Sequence, residues 1–174
     1  MIRAKRSLPP LRRRPDGIHP VLRMRARRRA LQAIYAWQIS GGLAPQIIAQ
    51  FVHEQALEVA DFAYFELLVE GVITRCGQID AALNPFLDRP VSAVDAIERA
   101  VLRLAAYELL HRLDVPYRVV INEAIATAKR FGSDQGYTYV NGVLDRAALA
   151  WRSAEARHAQ LPSKAEGSTP PTGH

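Results

Sequence analysis

The sequence predicts an all-α fold, and three observations predict it. Apolar residues recur three and four positions apart through most of residues 21–155, the spacing of one face of an α-helix. Helix stops separate the periodic segments: Gly41-Gly42, the stretch from Pro85 to Pro90, Leu113-Asp114-Val115 and Gly132. No stretch alternates as a half-buried strand does; Val119-Val120-Ile121 is β-branched but falls inside a helical stripe. Six or seven helices, arranged as two sub-bundles around one core, are expected from a chain of 174 residues.

The first helix is expected from Val21 to Ser40, with Ala26, Ala30, Ala33, Ile34 and Trp37 as its core stripe. Arg25, Arg28, Gln32 and Tyr35 fall away from that stripe on neighbouring turns, so this helix offers guanidinium, amide and phenol groups to solvent. A second helix over Pro45 to Gln55 carries Ile47, Ile48, Phe51 and Val52. A long third helix is expected from Asp61 to Phe86, periodic from Phe62 to Leu83 and ended by Pro85. The fourth, Ala93 to Arg112, has Ile97, Val101, Leu104, Ala105 and Leu109 inside. Asp95–Arg99 and Glu108–Arg112 are read as i, i+4 pairs on its wet side.

A helical hairpin follows over Pro116 to Asp145. Pro116 suits a helix start, and Ile121, Ala124, Ile125, Ala128 and Phe131 form one stripe. Gly132 is read as a left-handed helix end, and Ser133 or Asp134 as the cap of the next helix. That helix lines up Val140, Val143, Leu144, Ala147, Ala148 and Trp151, with Gly142 as a point of close helix approach. The folded unit is placed at 21–155, between a disordered basic arm (1–20) and a disordered tail (156–174) poor in apolar period.

Charge is unevenly spread. Residues 1–29 hold eleven Arg or Lys against one acid, Asp16, whereas the whole chain is only +6, so a mildly acidic body carries a basic amino end. Such clustering points to a polyanion, usually nucleic acid. Arginines grip phosphate and stack on unpaired bases, and Tyr35, Tyr137 and Tyr139 are candidate stacking platforms. The start of the last helix adds a dipole end for phosphate. The lone Cys76 excludes an internal disulfide, and the five histidines are scattered without metal spacing. No glycine-rich phosphate loop or catalytic constellation is present, so neither an enzyme nor a cofactor or metal is expected. No apolar run has membrane-spanning length, and a cytoplasmic protein without membrane contact is expected.

The stretches RARRRALQAIYAWQIS (25–40), AVLRLAAYEL (100–109) and VPYRVVINEAIATAKRFG…YVNGVLD (115–132, 139–145) resemble the NusB family of bacterial transcription antitermination factors, in order over residues 22–150. The resemblance implies an all-α fold of two packed three-helix sub-bundles. It implies binding of single-stranded boxA-type leader RNA together with NusE, a small-subunit ribosomal protein, so that RNA polymerase reads through terminators in ribosomal RNA operons. It places RNA contacts at Arg23, Arg25, Arg27, Arg28, Gln32, Tyr35, Gln135 and Tyr139, and the NusE surface on the exposed flank of the fourth helix, including Glu98. The family usually has Phe where Tyr139 stands, which preserves stacking, and often an acid where Gln135 stands. The basic extension is read as added RNA affinity. The alternative is a helical protein-interaction module without RNA specificity of its own, and the arginine face is also a candidate homodimer surface.

Overall fold

Helix boundaries follow the stop signals. The computed structural model describes residues 19–54 and 61–160. Within them lie α1 (Pro20–Ser40), α2 (Ala44–Glu54), α3 (Phe62–Thr74), α4 (Cys76–Leu83), α5 (Ala96–His111), α6 (Tyr117–Phe131), α7 (Gly136–Trp151) and α8 (Ser153–Gln160). Two 3-10 turns, Asn84–Phe86 and Val91–Ala93, carry the chain past Pro85 and Pro90 into α5. α1 opens on Pro20 and closes at Gly41, whose φ of 70° turns the chain while its N–H returns to the Trp37 carbonyl. Asp61 and Asp95 cap α3 and α5, accepting from the Tyr64 and Ile97 N–H groups.

α1, α2 and α3 form one three-helix group and α5, α6 and α7 the other, with no strand among the described residues. α1, α3 and α4 also pack on α5, which makes α5 the shared spine. One core runs through both groups. Phe65, Leu68, Leu102 and Leu144 in it are fully buried, each contributing roughly 1.5–3 kcal/mol. Gly71 of α3 makes room for the Tyr107 ring of α5: a Cβ there would sit 2.2 Å from that ring. Arg152 reinforces the carbonyls that end α5, of which Glu108 and Arg112 also accept from the Arg112 and Val115 N–H groups. Its buried guanidinium donates to the carbonyls of Glu108, Leu109 and Arg112, and of Val115 in the turn beyond.

Several expectations are corrected. The long third helix is broken at Arg75 (φ −110°, ψ 16°). The Thr74 hydroxyl donates back to the Glu70 carbonyl there, a bond that bends helices. Gly132 is extended (φ −89°, ψ −174°), not left-handed, and neither Ser133 nor Asp134 caps α7, which begins after Gln135 without a side-chain cap. Gly142 is not a close-approach point; a Cβ there would meet only the Arg146 side chain at 3.7 Å. Glu108 is not on a wet face but buried. Past the boundary drawn at 155, α8 continues to Gln160 and buries Ala156. The arm up to residue 18 and the tail from residue 161 lie outside the described residues.

Candidate nucleic-acid interface

The candidate surface starts with α1. Because its core stripe faces α3 and α5, Arg28, Gln32 and Tyr35 emerge on the outer side, with Tyr35 37% exposed. Among the described residues, Arg28 has no ion-pair partner. Arg29 donates from Nη1 to the Gln32 carboxamide oxygen at 3.2 Å, which steadies the amide next to Tyr35. Arg25 is half-buried on the same helix.

Two of the expected RNA-binding arginines point elsewhere. Arg27 is 5% exposed and forks onto Glu108, with Nε 2.9 Å from Oε1 and Nη2 2.9 Å from Oε2. The Tyr64 hydroxyl donates to the same carboxylate. Burial alone would lower the Arg27 pKa, but the Glu108 hydrogen bonds and charge outweigh it and hold the guanidinium charged. Burial, then the Glu108 charge, pushes the Tyr64 phenol up. Arg27 is therefore a structural residue, because a buried carboxylate requires its charge. Arg23 is half withdrawn: its guanidinium lies 4.2 Å from the Tyr64 ring centroid and 3.8 and 3.9 Å from the Asp61 and Asp114 carboxylates.

The second region is the hinge between α6 and α7. Gln135 is exposed at its tip. Glu98, expected on an exposed flank, is 3% exposed and turned into this hinge. Its Oε1 accepts from the Ser133 hydroxyl at 3.0 Å and, more weakly, from the Ser133 N–H at 3.4 Å. Gly136 is required beside it, since a Cβ there would sit 1.8 Å from Glu98 Oε1. Burial, reinforced by Asp95, raises the Glu98 pKa, while the hydrogen bond with Glu98 lowers that of Asp95. The correction has a simple cause: residue 98 lies four positions before buried Leu102 and seven before buried Ala105, on the inward stripe.

Tyr139 is committed locally. Its hydroxyl donates to Asp88 Oδ1 at 3.1 Å, and Arg89 lies over its ring at 5.0 Å. The Arg89 hydrogen bond first, and that of Tyr139 second, hold the Asp88 carboxyl down to about 2. Sequence reading missed this Asp88–Arg89 pair and also the two bases that end α6. Lys129 lies 4.7 Å over the Tyr137 ring and Arg130 5.4 Å over that of Phe131, so exposed cations flank the hinge. The pair of consecutive bases one step before Phe131-Gly132 was the signal available for them.

α5 brings the two regions to the same end of the molecule. The Gln38 amide, one turn beyond Tyr35, donates to the Ala96 carbonyl at 2.9 Å and accepts from Arg103. Glu98 holds the hinge two residues farther along α5. Gln38 and Ser133, three and two residues from Tyr35 and Gln135, are thus both tied to the first turn of α5, whereas Tyr139 belongs to the turn at residues 86–90. Among the described residues, no cluster of His, Cys, Asp or Glu could hold a metal, and no helix is long and apolar enough to cross a membrane.

Comparison with known proteins agrees with this architecture. The NusB family model matches residues 24–149. The transcription antitermination protein NusB of Xanthomonas oryzae pv. oryzae (strain PXO99A) is 76% identical over 143 residues, which is 82% of this chain and 92% of that protein. The NusB structure of T. maritima aligns at a TM-score of 0.59 and 27% identity, over 77% of this chain and 96% of that one. A crystal structure of antitermination factors NusB and NusE in complex with dsRNA aligns at 0.68 and 22% identity, over 75% and 98%. With its family model covering most of the described helices and a relative three-quarters identical, the chain belongs to the NusB family.

Proposed function

We propose that the chain is a cytoplasmic, non-enzymatic transcription antitermination factor that binds single-stranded boxA-type leader RNA jointly with a NusE-type ribosomal protein. The observation that carries this reading is the Arg28–Gln32–Tyr35 ladder on the outer side of α1, half-buried at Arg28 and Gln32 and exposed at Tyr35, whose Tyr35 end lies at the same end of α5 as the hinge at Gln135. A guanidinium, an amide and a phenol on successive turns suit a strand whose phosphates are gripped while one base stacks. Arg25 and the hinge cations Lys129 and Arg130 extend the positive surface, and Arg23 and Tyr139 stand at its margins. α5 has no exposed flank, since only His111 of its residues is exposed, so NusE is assigned to the surface leading into its first turn (Ser92, Ala93 and Asp95), where Glu98 contributes from inside by shaping the hinge. Read-through by RNA polymerase then depends on RNA and ribosomal protein being held by one scaffold.

The test is RNA affinity by fluorescence anisotropy. Tyr35→Ala should lose about 1–3 kcal/mol, the worth of one base stack, with no change in salt dependence. Arg28→Ala should flatten the plot of log K against log salt by about 0.7, because one phosphate fewer is neutralised on the single strand. Unchanged affinity in both variants would overturn the α1 site.

A further inference from the structure

We propose that the groove between α2 and α3 is the docking site of the chain's own basic arm, residues 1–18. The groove has a volume of about 510 Å³ and is lined by Pro45, Ile48, Val52, Phe62, Glu66 and Glu70. Its floor is apolar and open: Val52 is 43% and Phe62 40% exposed. Its rim is acidic. Glu66 and Glu70 stand four residues apart on α3, and neither has an ion-pair partner among the described residues.

Two features identify the occupant. The first is where the arm leaves the fold. The Asp61 N–H donates to the Leu22 carbonyl at 3.4 Å, so the first turn of α1 lies against the start of α3. The mouth of the groove, Phe62, is the next residue. From Phe62 to Glu70 the groove runs about 12 Å, at 1.5 Å per helical residue. The seven residues from Ile18 back to Leu11 can span about 23 Å when extended. The second feature is complementarity. Residues 1–18 carry six Lys or Arg against one acid, and Leu8 and Leu11 stand just before Arg12, Arg13 and Arg14. Apolar side chains seat on the floor while arginines reach the carboxylates on the rim. Tethering raises the local concentration of the arm to about the millimolar range, so a weak interaction suffices. Docking stores the arm's charge on the α2–α3 side of the fold, apart from the α1 ladder, and does not depend on RNA binding by that ladder.

The test uses the full chain and a zero-length carbodiimide cross-linker, which joins an amine to a carboxylate. The arm offers Lys5 and the terminal amine; the other lysines are Lys129 and Lys164. The expected product is an intrachain link from Lys5 or the terminus to Glu66 or Glu70. It should fall at least fivefold in 0.5 M salt and in the R12E/R13E/R14E variant, whose fold is checked by circular dichroism. The Val52 methyl resonances should shift in that same variant. A link formed between ¹⁴N- and ¹⁵N-labelled copies would make a second chain the occupant, and a link from Lys164 would make it the tail. Either result, an equal yield at acids outside the groove, or no link at all would overturn the proposal.

Discussion

Arg27→Ala separates the structural arginine of α1 from its surface neighbours. The substitution removes a side chain with 6% exposure and leaves Glu108, 2% exposed, with the Tyr64 hydroxyl as its remaining hydrogen-bond donor. Breaking one side of a buried ion pair costs about 3–5 kcal/mol, because the surviving charge stays desolvated without its partner. That is a large part of the roughly 5–15 kcal/mol that holds a domain folded. At about 2–4 °C per kcal/mol for a protein of this size, Tm should fall by about 6–20 °C. Differential scanning calorimetry reads the loss directly. The double variant Arg27→Met, Glu108→Leu should recover most of it, since a well-packed apolar pair can replace a buried ion pair at little cost. RNA affinity measured well below Tm should fall only as far as α1 turns without its Glu108 anchor, and the salt slope should stay unchanged, because Arg27 itself neutralises no phosphate. A variant with unchanged Tm and strongly weakened RNA binding would refute the assignment and return Arg27 to the surface.

Gly136→Ala should destabilise the protein by about 1–3 kcal/mol, the usual cost of overpacking, because the new methyl group meets Glu98 Oε1. Chemical denaturation should show part of that loss recovered when Glu98→Ala is added, and no recovery would mean that the hinge is packed differently. Glu98 should also leave a pH signature. Its folded pKa is raised, so between the ordinary carboxylate value and that raised value the native state holds more protons than the unfolded chain. Stability therefore falls as pH rises through the window. Glu98→Gln should accordingly gain Tm relative to the parent as pH increases above about 4.5, the ordinary range of a glutamate. Asp95 works in the opposite sense and below its ordinary value, where protonation removes its stabilising contribution. A Tm difference between the Glu98→Gln variant and its parent that stays flat with pH would remove Glu98 from the account.

Helix positions were legible because periodicity and stops are local properties of the chain. α1, α2 and α6 begin and end within a residue or two of the expected places, and Gly41-Gly42 turns as anticipated. The outer face of α1 was legible for the same reason: Arg28, Gln32 and Tyr35 fall outside a stripe that the sequence itself defines. What escaped was the fate of charges at the edge of a stripe. Arg27 follows Ala26 and lies four residues before Leu31 and seven before Ile34, so its geometry pointed inward. A lone arginine at such an edge is ordinarily solvated, and it can be buried only where a carboxylate waits. That carboxylate, Glu108, is 81 residues away. Helical spacing also set Glu108 beneath Leu104 and Val101, yet its charge argued for water. Arg152 escaped for a different reason: the carbonyls it satisfies belong to α5 and the turn beyond, and no local rule assigns a donor 40 residues away.

These hidden charges position the candidate interface. α5 carries two inward carboxylates ten residues apart, and each fixes a different part of the surface. Glu108 holds the first half of α1 through Arg27, which sets the rotation of α1 and hence the direction in which Arg28, Gln32 and Tyr35 project. Glu98 holds the start of α7 through Ser133 and the close fit of Gly136, which sets where Gln135 stands. Three alanines share the buried face of α1 with Leu31 and Ile34, and their small side chains interlock little with the neighbouring helices. A forked ion pair adds a directional constraint, since both nitrogens must meet both oxygens. The polar contacts inside the core therefore do for orientation what the alanines cannot. The surface ladder of α1 owes its bearing to an arginine that never reaches solvent.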